Sequence, residues 1–217
     1  MTKKASFIGQ RRFAASRDSS ASYVARRKEI CEAAIKVFHR QGFAAASLSA
    51  VASEIGIDRA SLYYYFSSKD ELFDAITTSV LEENAVLARR IAESTISPQR
   101  KLRELIGAMM ISYGENYPLL YVYIREDLRQ VIPERSEWSA HMRGLNRQIE
   151  NAFIEIIEQG FEDRSLRRIG SARIVAYGIL GMLNWSHRWY RPGQAEPAHE
   201  AGRVFADIAL TGLESPV

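Results

Sequence analysis

A short segment near residue 60 carries side chains that are suited to binding a nucleic-acid duplex. Arg59, Ser61 and three consecutive tyrosines (63–65) lie within seven residues. An arginine guanidinium can hydrogen-bond to both acceptors of a guanine in the major groove, and serine and tyrosine hydroxyls can donate to phosphates. Lys69 can add a charge contact with a phosphate. These residue types and their spacing therefore indicate contact with bases and phosphates.

Two short helices separated by a tight turn would position these side chains. They are predicted at residues 47–56 and 58–65, because the first begins with a serine that can cap free amides and ends with a glycine. Leu62 and Phe66 are four residues apart and face the core of such a structure, which turns the polar and aromatic side chains outward. This arrangement is that of a helix-turn-helix, whose second helix enters the major groove.

No residue pattern in the sequence indicates catalysis. The four histidines do not lie in paired metal-ligand spacing, and Glu137 with His141 is the one acid–histidine pair on a helix face. Sequence motifs of a nucleophile elbow, a phosphate-binding glycine loop or a dinucleotide site are absent. Cys31 lies beside Ile30 and is expected to be a small core residue. We therefore expect no catalytic residue, no metal and no cofactor.

The rest of the sequence predicts an all-α fold with nine helices and no strands. Apolar residues recur at helical spacing, and there is neither sustained alternation nor an Asn-Gly or Asp-Gly hairpin signal. Pro118 is predicted in the first turn of the sixth helix, Pro133 ends that helix, and Gly160 ends the seventh. The other helices are expected at residues 24–41, 47–56, 58–65, 68 onward, 97–116, 171–190 and 197–211.

Positive charge is concentrated at the amino-terminal end of the chain. The net charge is +3, yet residues 1–74 contain 12 Lys and Arg against 8 Asp and Glu, and residues 1–28 contain 8 against 1. This tail also has the composition of an organelle transit peptide, and a solvated tail without a role is an equally simple interpretation. We interpret residues 1–23 as a basic flexible arm that precedes a DNA-binding domain at residues 24–70.

The segment 47–72, SLSAVASEIGIDRASLYYYFSSKDEL, resembles the DNA-binding signature of the TetR/AcrR family of transcriptional regulators. The resemblance covers about residues 26–75 and implies an operator-binding helix-turn-helix. Family members usually have glycine or proline where Ala60 stands, and often histidine at Tyr64 or Tyr65. The tyrosine hydroxyls can still donate hydrogen bonds to phosphates, but they change which bases the helix can recognise. The sequence therefore determines how the helix docks on DNA better than it determines the operator sequence. The residues expected to contact DNA are Ser47, Ser49, Arg59, Ala60, Ser61, Tyr63, Tyr64, Tyr65 and Lys69.

Residues 71–217 are expected to bind an effector and to form a homodimer. Flexible methionines and aromatic side chains suit an adaptable apolar cavity, although each could instead be a core residue. The predicted pocket residues are Met109, Met110, Tyr113, Tyr117, Tyr121, Trp138 and Met142. The segment 183–193, LNWSHRWYRPG, is similar to family members whose effectors include acyl-coenzyme A thioesters.

A homodimer is predicted from the apolar stretch at residues 174–183, which is apolar on every side and so must be buried all round. One face of that helix can pack on its own domain, while the opposite face needs a second surface. The alternative is a central helix that is buried in a monomer. Two glycines would allow close helix approach, and the predicted interface residues are Gly178, Gly181, Met182 and Trp185.

The sequence thus favours a ligand-responsive regulator that binds double-stranded operator DNA. The resemblance implies repression that a small apolar or amphipathic effector relieves. The longest apolar stretch has ten residues, about half of what a membrane span needs, and a single cysteine precludes an internal disulfide, so we expect a cytoplasmic protein. The alternative is an all-α interaction module without a DNA role, which salt-sensitive duplex binding would exclude; a helical enzyme without cofactor would require a buried polar constellation.

Overall fold

The structure, a computed structural model, describes residues 21–125, 136–193 and 196–213. These residues form nine α-helices and no extended strand, which confirms the all-α prediction. The helices are α1 Ala21–Gln41, α2 Leu48–Glu54, α3 Arg59–Tyr65, α4 Lys69–Glu93, α5 Pro98–Glu115, α6 Leu119–Arg125, α7 Ser136–Glu162, α8 Ala172–Trp185 and α9 Ala198–Leu213. Among the described residues, no helix has the length and apolar character that crossing a bilayer requires.

The chain divides into two compact units, and the division falls between Thr77 and Thr78 within α4. The amino-terminal unit contains α1, α2, α3 and the beginning of α4. The predicted boundary at residue 70 lies at the start of α4, so the structural division is seven residues further along the chain. The basic arm predicted at residues 1–23 lies almost entirely outside the described residues.

The amino-terminal unit is held together by one apolar core. Helix α1 buries residues at i, i+4 and i+7 spacing, and α3 and α4 face it with leucine and phenylalanine side chains. Phe43, from the connection after α1, packs its ring 5.3 Å from Phe38 and 5.0 Å from Phe73, measured between ring centroids. The fully buried members of this core include Ile30, Ala34, Val37, Phe38, Val51, Leu62, Phe66 and Leu72.

Local signals at the helix ends produce the tight turns of this unit. The Ser47 hydroxyl accepts a hydrogen bond from the Ala50 amide, which caps α2 as the sequence predicted. Gly42 and Gly56 have φ angles of +76° and +68°, a conformation that costs glycine nothing and side-chain-bearing residues more. The two short helices α2 and α3 therefore follow α1 through two abrupt changes of direction.

In the carboxy-terminal unit, α5 and α9 are packed against each other at very close range. A Cβ atom at Gly202 would lie 3.0 Å from the Cα of Gly107, and one at Gly114 would lie 2.9 Å from the Cβ of Ala198. Small residues on both helices therefore allow the backbones to approach. Helix α7 packs against α5 and α8, so that α5 lies at the centre of the unit.

The prediction that Gly160 ends the seventh helix is wrong. Helix α7 continues to Glu162, and the residue with the left-handed conformation is Arg164, with φ of +62°. Gly160 instead makes room for Leu166, because a Cβ at this position would overlap the Leu166 Cδ1 and Cγ atoms. The eighth helix also ends earlier than predicted, at Trp185, and a 3-10 turn follows at Ser186–Arg188. The predicted helix end at Pro133 lies outside the described residues.

Candidate nucleic-acid interface and effector region

The amino end of α3 is capped by an aspartate. The Asp58 carboxylate accepts hydrogen bonds from the Ser61 amide at 2.9 Å and from the Ser61 hydroxyl at 2.5 Å. These hydrogen bonds hold the pKa of the Asp58 carboxyl below its ordinary value, since they stabilise the charged form. The hydroxyl that the sequence assigned to a phosphate therefore already has an acceptor within the protein.

The outward face of α3 presents Arg59 and Tyr63 as a pair. The Arg59 Nη2 atom donates to the Tyr63 hydroxyl at 2.7 Å, and its guanidinium carbon lies 5.1 Å from the centre of the Tyr63 ring. Arg59 and Ala60 are exposed, and Tyr63 is half-buried. Because the residues are one helical turn apart, the tyrosine restricts the arginine without removing it from solvent. This pair is the arrangement best suited to meeting a base edge.

The other two tyrosines of α3 pack against α1. The Tyr65 ring stacks on the Tyr23 ring with centroids 5.1 Å apart and an interplanar angle of 29°. The Tyr64 ring meets the Tyr23 ring edge-on at 6.0 Å and the Tyr65 ring edge-on at 5.0 Å. All three tyrosines are half-buried, but Tyr64 and Tyr65 pack against Tyr23 of α1, whereas Tyr63 lies beside Arg59.

Lys69 lies at the first position of α4 and binds backbone. Its Nζ atom donates to the carbonyl oxygens of Phe43 at 2.8 Å, Ala44 at 3.1 Å and Ala46 at 3.1 Å, and it lies 4.7 Å from the centre of the Phe43 ring. An ammonium group has three donors, and all three have protein acceptors here. A phosphate contact, as the sequence predicted, would have to replace one of these bonds.

Ser47 and Ser49 are exposed at the start of α2. The Ser47 hydroxyl serves the helix cap, and the Ser49 carbonyl accepts from the Ser53 hydroxyl at 3.0 Å. The predicted DNA-contact residues thus divide into an exposed group and a half-buried group, and the half-buried ones are Tyr63, Tyr64, Tyr65 and Lys69. The exposed ones are Ser47, Ser49, Arg59, Ala60 and Ser61.

Arg27 on α1 is a component of this region that the local pattern did not identify. Its Nη1 atom donates to the carbonyl of Tyr65 at 2.8 Å, and its guanidinium carbon lies 4.1 Å from the centre of the Phe66 ring. In the sequence, Arg27 is one of three consecutive basic residues at 26–28 and carries no signal beyond charge. Its partner lies 38 residues away, which no helical periodicity connects.

A tyrosine cluster occupies the predicted effector region between α5, α6 and the 3-10 turn. Tyr121 contacts Tyr113, Tyr117 and Tyr190 with ring centroids 5.7 to 6.5 Å apart. The Tyr113 hydroxyl donates to Asn184 at 2.7 Å, and the Tyr121 hydroxyl pairs with the Ser186 hydroxyl at 2.9 Å.

Desolvation makes the hydroxyls of this cluster harder to ionise than that of an ordinary tyrosine. It raises the pKa of Tyr113 and, together with neighbouring tyrosines, raises the pKa of Tyr121 to about 12. The cluster therefore combines apolar rings with hydroxyl groups at neutral pH. Met109 and Met110, predicted for the same pocket, are completely or almost completely buried in α5.

Trp138 and Met142 lie in a second cluster. The Trp138 Nε1 atom donates to the Thr78 hydroxyl at 3.0 Å, and the same hydroxyl lies 3.6 Å from the Met142 sulfur. The Trp138 ring meets the Tyr123 ring edge-on at 6.3 Å. These contacts join α7 to α4 and α6, whereas the tyrosine cluster joins α6 to α5 and to the chain at the end of α8. The predicted pocket residues therefore form two groups.

An open groove of about 580 Å³ lies beside α4 and α7 and contains none of the predicted pocket residues. Its lining is mixed, with apolar, basic, acidic and neutral polar side chains, namely Ala85, Val86, Arg89, Arg90, Glu93, Ser94 and Gln148. Val86 is 71% exposed at its edge.

Helix α8 has one buried and one exposed apolar face in the single chain. Ala176, Ile179 and Leu183 are buried, whereas Ile174 is 71% exposed and Trp185 is 60% exposed. Gly178 and Gly181 lie on the exposed face, and a Cβ at either position would meet nothing within 4 Å; Met182 is half-buried. The neighbouring helix α9 also exposes apolar side chains, namely Val204 and Ile208. The prediction that residues 174–183 are buried all round thus requires a surface that the single chain does not supply.

The thiol of Cys31 is half-buried in α1, and desolvation raises its pKa to about 11. Within the described residues, no group of three or more His, Cys, Asp or Glu side chains could hold a metal ion. The His141 Nε2 atom lies 3.1 Å from a carboxylate oxygen of Glu82, and both side chains are exposed.

Two protein-family models match the chain. Residues 30–76 match the model described as bacterial regulatory proteins of the tetR family, and residues 95–213 match the tetracyclin repressor-like carboxy-terminal domain. The transcriptional repressor KstR2 of Mycobacterium tuberculosis is 28% identical over 189 residues, which cover 87% of this chain and 92% of the repressor.

Solved structures of similar proteins share the whole fold. The TetR-family regulator PfmR of Thermus thermophilus is 30% identical with a TM-score of 0.71, and the match covers 86% of this chain and 99% of PfmR. The regulator FadR of Bacillus subtilis, solved with stearoyl-CoA, has a TM-score of 0.66 at 14% identity, covering 85% of this chain and 98% of FadR. At that identity the likeness to FadR concerns the fold.

Proposed function

The chain belongs to the TetR family of bacterial transcriptional regulators, and we propose that it is a homodimeric repressor that an amphipathic effector releases from its operator. The family membership supplies the DNA-binding helix-turn-helix. The observation that carries the proposal for this chain is the pair of exposed Arg59 and half-buried Tyr63 on the outward face of α3. We assign operator binding to residues 24–70, and effector binding and dimerisation to residues 71–217, in a cytoplasmic protein.

In this proposal, recognition of a base depends on the planar guanidinium group of Arg59. The guanidinium can donate to the O6 and N7 acceptors of a guanine, while Tyr63 holds it at 2.7 Å and limits its rotamers. Ala60 on the same exposed turn has a small side chain that permits close approach to a base. Ser47 and Ser49, at the start of α2, are exposed and can donate hydrogen bonds to phosphate oxygens.

A homodimer would cover the exposed apolar face of α8. Ile174 and Trp185 lie at the two ends of this face, with two glycines between them, and Val204 and Ile208 of α9 extend it. Burial of this surface against a second copy is favourable at about 25 cal/mol per Å² of apolar area. Two recognition helices related by a twofold axis would then read half-sites about 34–36 Å apart.

The effector proposed here is an acyl-coenzyme A thioester. Tyr113, Tyr117 and Tyr121 offer ring surface for an acyl chain, and the tyrosine hydroxyls offer hydrogen bonds for a polar group. Met109 and Met110 are buried in α5 and would have to rearrange to contact the chain. The FadR structure with stearoyl-CoA supports this choice at the level of the fold. Binding would favour a spacing of the two α3 helices that no longer matches successive major grooves.

The proposal is tested by selecting a duplex from a random-sequence pool with the full chain. We expect a palindromic site that is bound more tightly than random duplex, and that stearoyl-CoA, but not free coenzyme A, releases. The Arg59→Ala variant should lose about 1–3 kcal/mol on the selected duplex and relax the preference at one base pair of each half-site. Failure to enrich any duplex would favour an interaction module without a DNA role, and equal losses on selected and random duplex would contradict the assignment of Arg59.

A further inference from the structure

We propose that Arg27 and Tyr23 of α1 are positioning residues for operator recognition, because they hold the carboxyl end of α3 and so set the angle at which Arg59 and Tyr63 meet the DNA. This inference rests on the proposed role of α3 as the recognition helix. It assigns to α1 a part in sequence discrimination, although neither residue belongs to the recognition helix.

Helix α3 has few contacts of its own that could fix its orientation. It has seven residues, whereas an isolated helix shorter than about 12–15 residues is marginal in water. Of its seven side chains, Leu62 alone is buried. The Asp58 cap fixes the amino end through local bonds. A helix held by one cap and one buried side chain can still rotate about its axis, so its carboxyl end needs a separate restraint.

Arg27 supplies that restraint with two contacts to consecutive residues. It donates to the carbonyl of Tyr65, the last residue of α3, whose oxygen has no partner further along the helix. A cation at this end is also favoured by the helix dipole. The same guanidinium lies 4.1 Å from the centre of the Phe66 ring, which is completely buried. Arg27 thus joins the end of α3 to a rigid point of the core.

Tyr23 adds a second restraint on the same side. It lies four residues before Arg27 and therefore on the same face of α1. Its ring stacks on Tyr65 at 5.1 Å and meets Tyr64 edge-on at 6.0 Å. Rotation of α3 about its axis would separate these rings. The two half-buried tyrosines therefore transmit the orientation of α1 to α3.

The neighbouring arginine provides a matched control. Arg26 carries the same charge one position earlier, but its Nη1 atom pairs with Glu29 of the same helix at 2.6 Å. Replacing either arginine with glutamine removes one positive charge from α1. An effect that is specific to Arg27 therefore reports the contact with α3 and not the loss of charge.

Lysine is the conservative replacement for Arg27. A lysine at this position would have to contact a backbone carbonyl and a phenylalanine ring together, as Lys69 does elsewhere in the same unit. The Lys69 ammonium donates to backbone carbonyls and lies 4.7 Å from the centre of a phenylalanine ring. Arg27→Lys keeps a donor and a cation at the end of α3, whereas Arg27→Gln keeps neither the charge nor the reach. We expect Arg27→Lys to restore most of the function that Arg27→Gln loses.

The experiment measures binding of the full-chain variants to the duplex selected by the wild-type protein and to random-sequence duplex. Arg27→Gln should weaken binding to the selected duplex by about tenfold per subunit, as expected when roughly one molecule in ten holds α3 in the competent orientation. Its binding to random duplex should fall no more than that of Arg26→Gln, because this binding depends on charge. Helix content from circular dichroism should match that of the wild type.

Equal losses for Arg27→Gln and Arg26→Gln on both duplexes would overturn the inference, and so would an Arg27→Lys variant as weak as Arg27→Gln. If Arg27→Gln loses helix content, Tyr23→Leu decides, because it keeps apolar bulk and removes the stacking. Selective loss on the selected duplex then supports the inference, and unchanged discrimination refutes it. Failure of the proposed function would appear differently, as a wild-type protein that selects no duplex.

Discussion

Substitution of Lys69 by methionine distinguishes a role in DNA binding from a role in holding the fold. The residue type and position predict a phosphate contact, whereas the structure places the ammonium on the carbonyls of Phe43, Ala44 and Ala46 at 2.8 to 3.1 Å. Methionine keeps the length and the apolar stem of the side chain and removes the three donors. The variant therefore isolates what the charged group contributes.

The stability loss follows from the bonds that are removed. A net contribution of about 1.5–3 kcal/mol is usual for hydrogen bonding to a charged group, and a cation over an aromatic ring adds about 0.5–1 kcal/mol at a partly exposed site. Ala44 is exposed, so water can replace the ammonium at that carbonyl. We therefore expect the free energy of unfolding to fall by about 2 kcal/mol. For a unit of this size, this corresponds to a decrease of roughly 10 °C in the melting temperature.

Two measurements on the full chain are needed. Urea denaturation followed by circular dichroism gives the free energy of unfolding, with Lys28→Met as a control because Lys28 is an exposed lysine of the same unit. That control should change stability by less than about 0.5 kcal/mol. The salt dependence of binding to random duplex counts phosphate contacts, and each lost contact lowers the slope by about 0.9.

We expect Lys69→Met to lower stability and to leave the salt slope unchanged. The opposite pair of results, unchanged stability and a slope lower by about one, would refute the structural role and restore the phosphate contact. A decrease in both quantities would mean that the ammonium exchanges one carbonyl for a phosphate when DNA binds, which would refute the expectation that the slope is unchanged.

Three further expectations concern other parts of the chain. Gly178→Arg combined with Gly181→Arg should give a folded monomer in sedimentation equilibrium, because charged side chains would lie on the exposed face of α8. Its operator binding should be greatly weakened, since one half-site contributes only part of the affinity. A variant that still sediments as a dimer would place the interface elsewhere. Gly160→Ala should destabilise the protein by about 1–3 kcal/mol in urea denaturation, because its Cβ would overlap Leu166, while Gly144→Ala on the same helix meets nothing within 4 Å and should stabilise by up to about 1 kcal/mol. Equal effects of the two substitutions would contradict this reasoning. Cys31 should react slowly with iodoacetamide at pH 8 and faster as the pH approaches about 11, where the thiolate forms. If the folded protein reacts at pH 8 as fast as the urea-unfolded protein, burial does not raise the pKa of this thiol.

Local sequence determined the helix-turn-helix because its signals act over a few residues. Ser47 and Asp58 cap the helices that follow them, Gly56 permits the left-handed turn, and the i, i+4 spacing of Leu62 and Phe66 defines the buried side of α3. Each of these effects depends on a hydrogen bond or a contact within one helical turn. The all-α class and the family resemblance follow from the same patterns. The exposure of Arg59 and Ser61 was therefore accessible from the sequence, whereas the packing of Tyr64 and Tyr65 on Tyr23 was not.

The tertiary structure decided what the remaining polar and aromatic side chains do. Lys69 reaches carbonyls 23 to 26 residues away, and Arg27 reaches one 38 residues away. Gly160 resembles a helix end in the sequence, but in the structure it accommodates Leu166 while α7 continues. The predicted pocket residues separated into two clusters for the same reason. Residue type and period specify which face of a helix is apolar, but the partner of a lysine, an arginine or a glycine depends on which segments the packed core brings together.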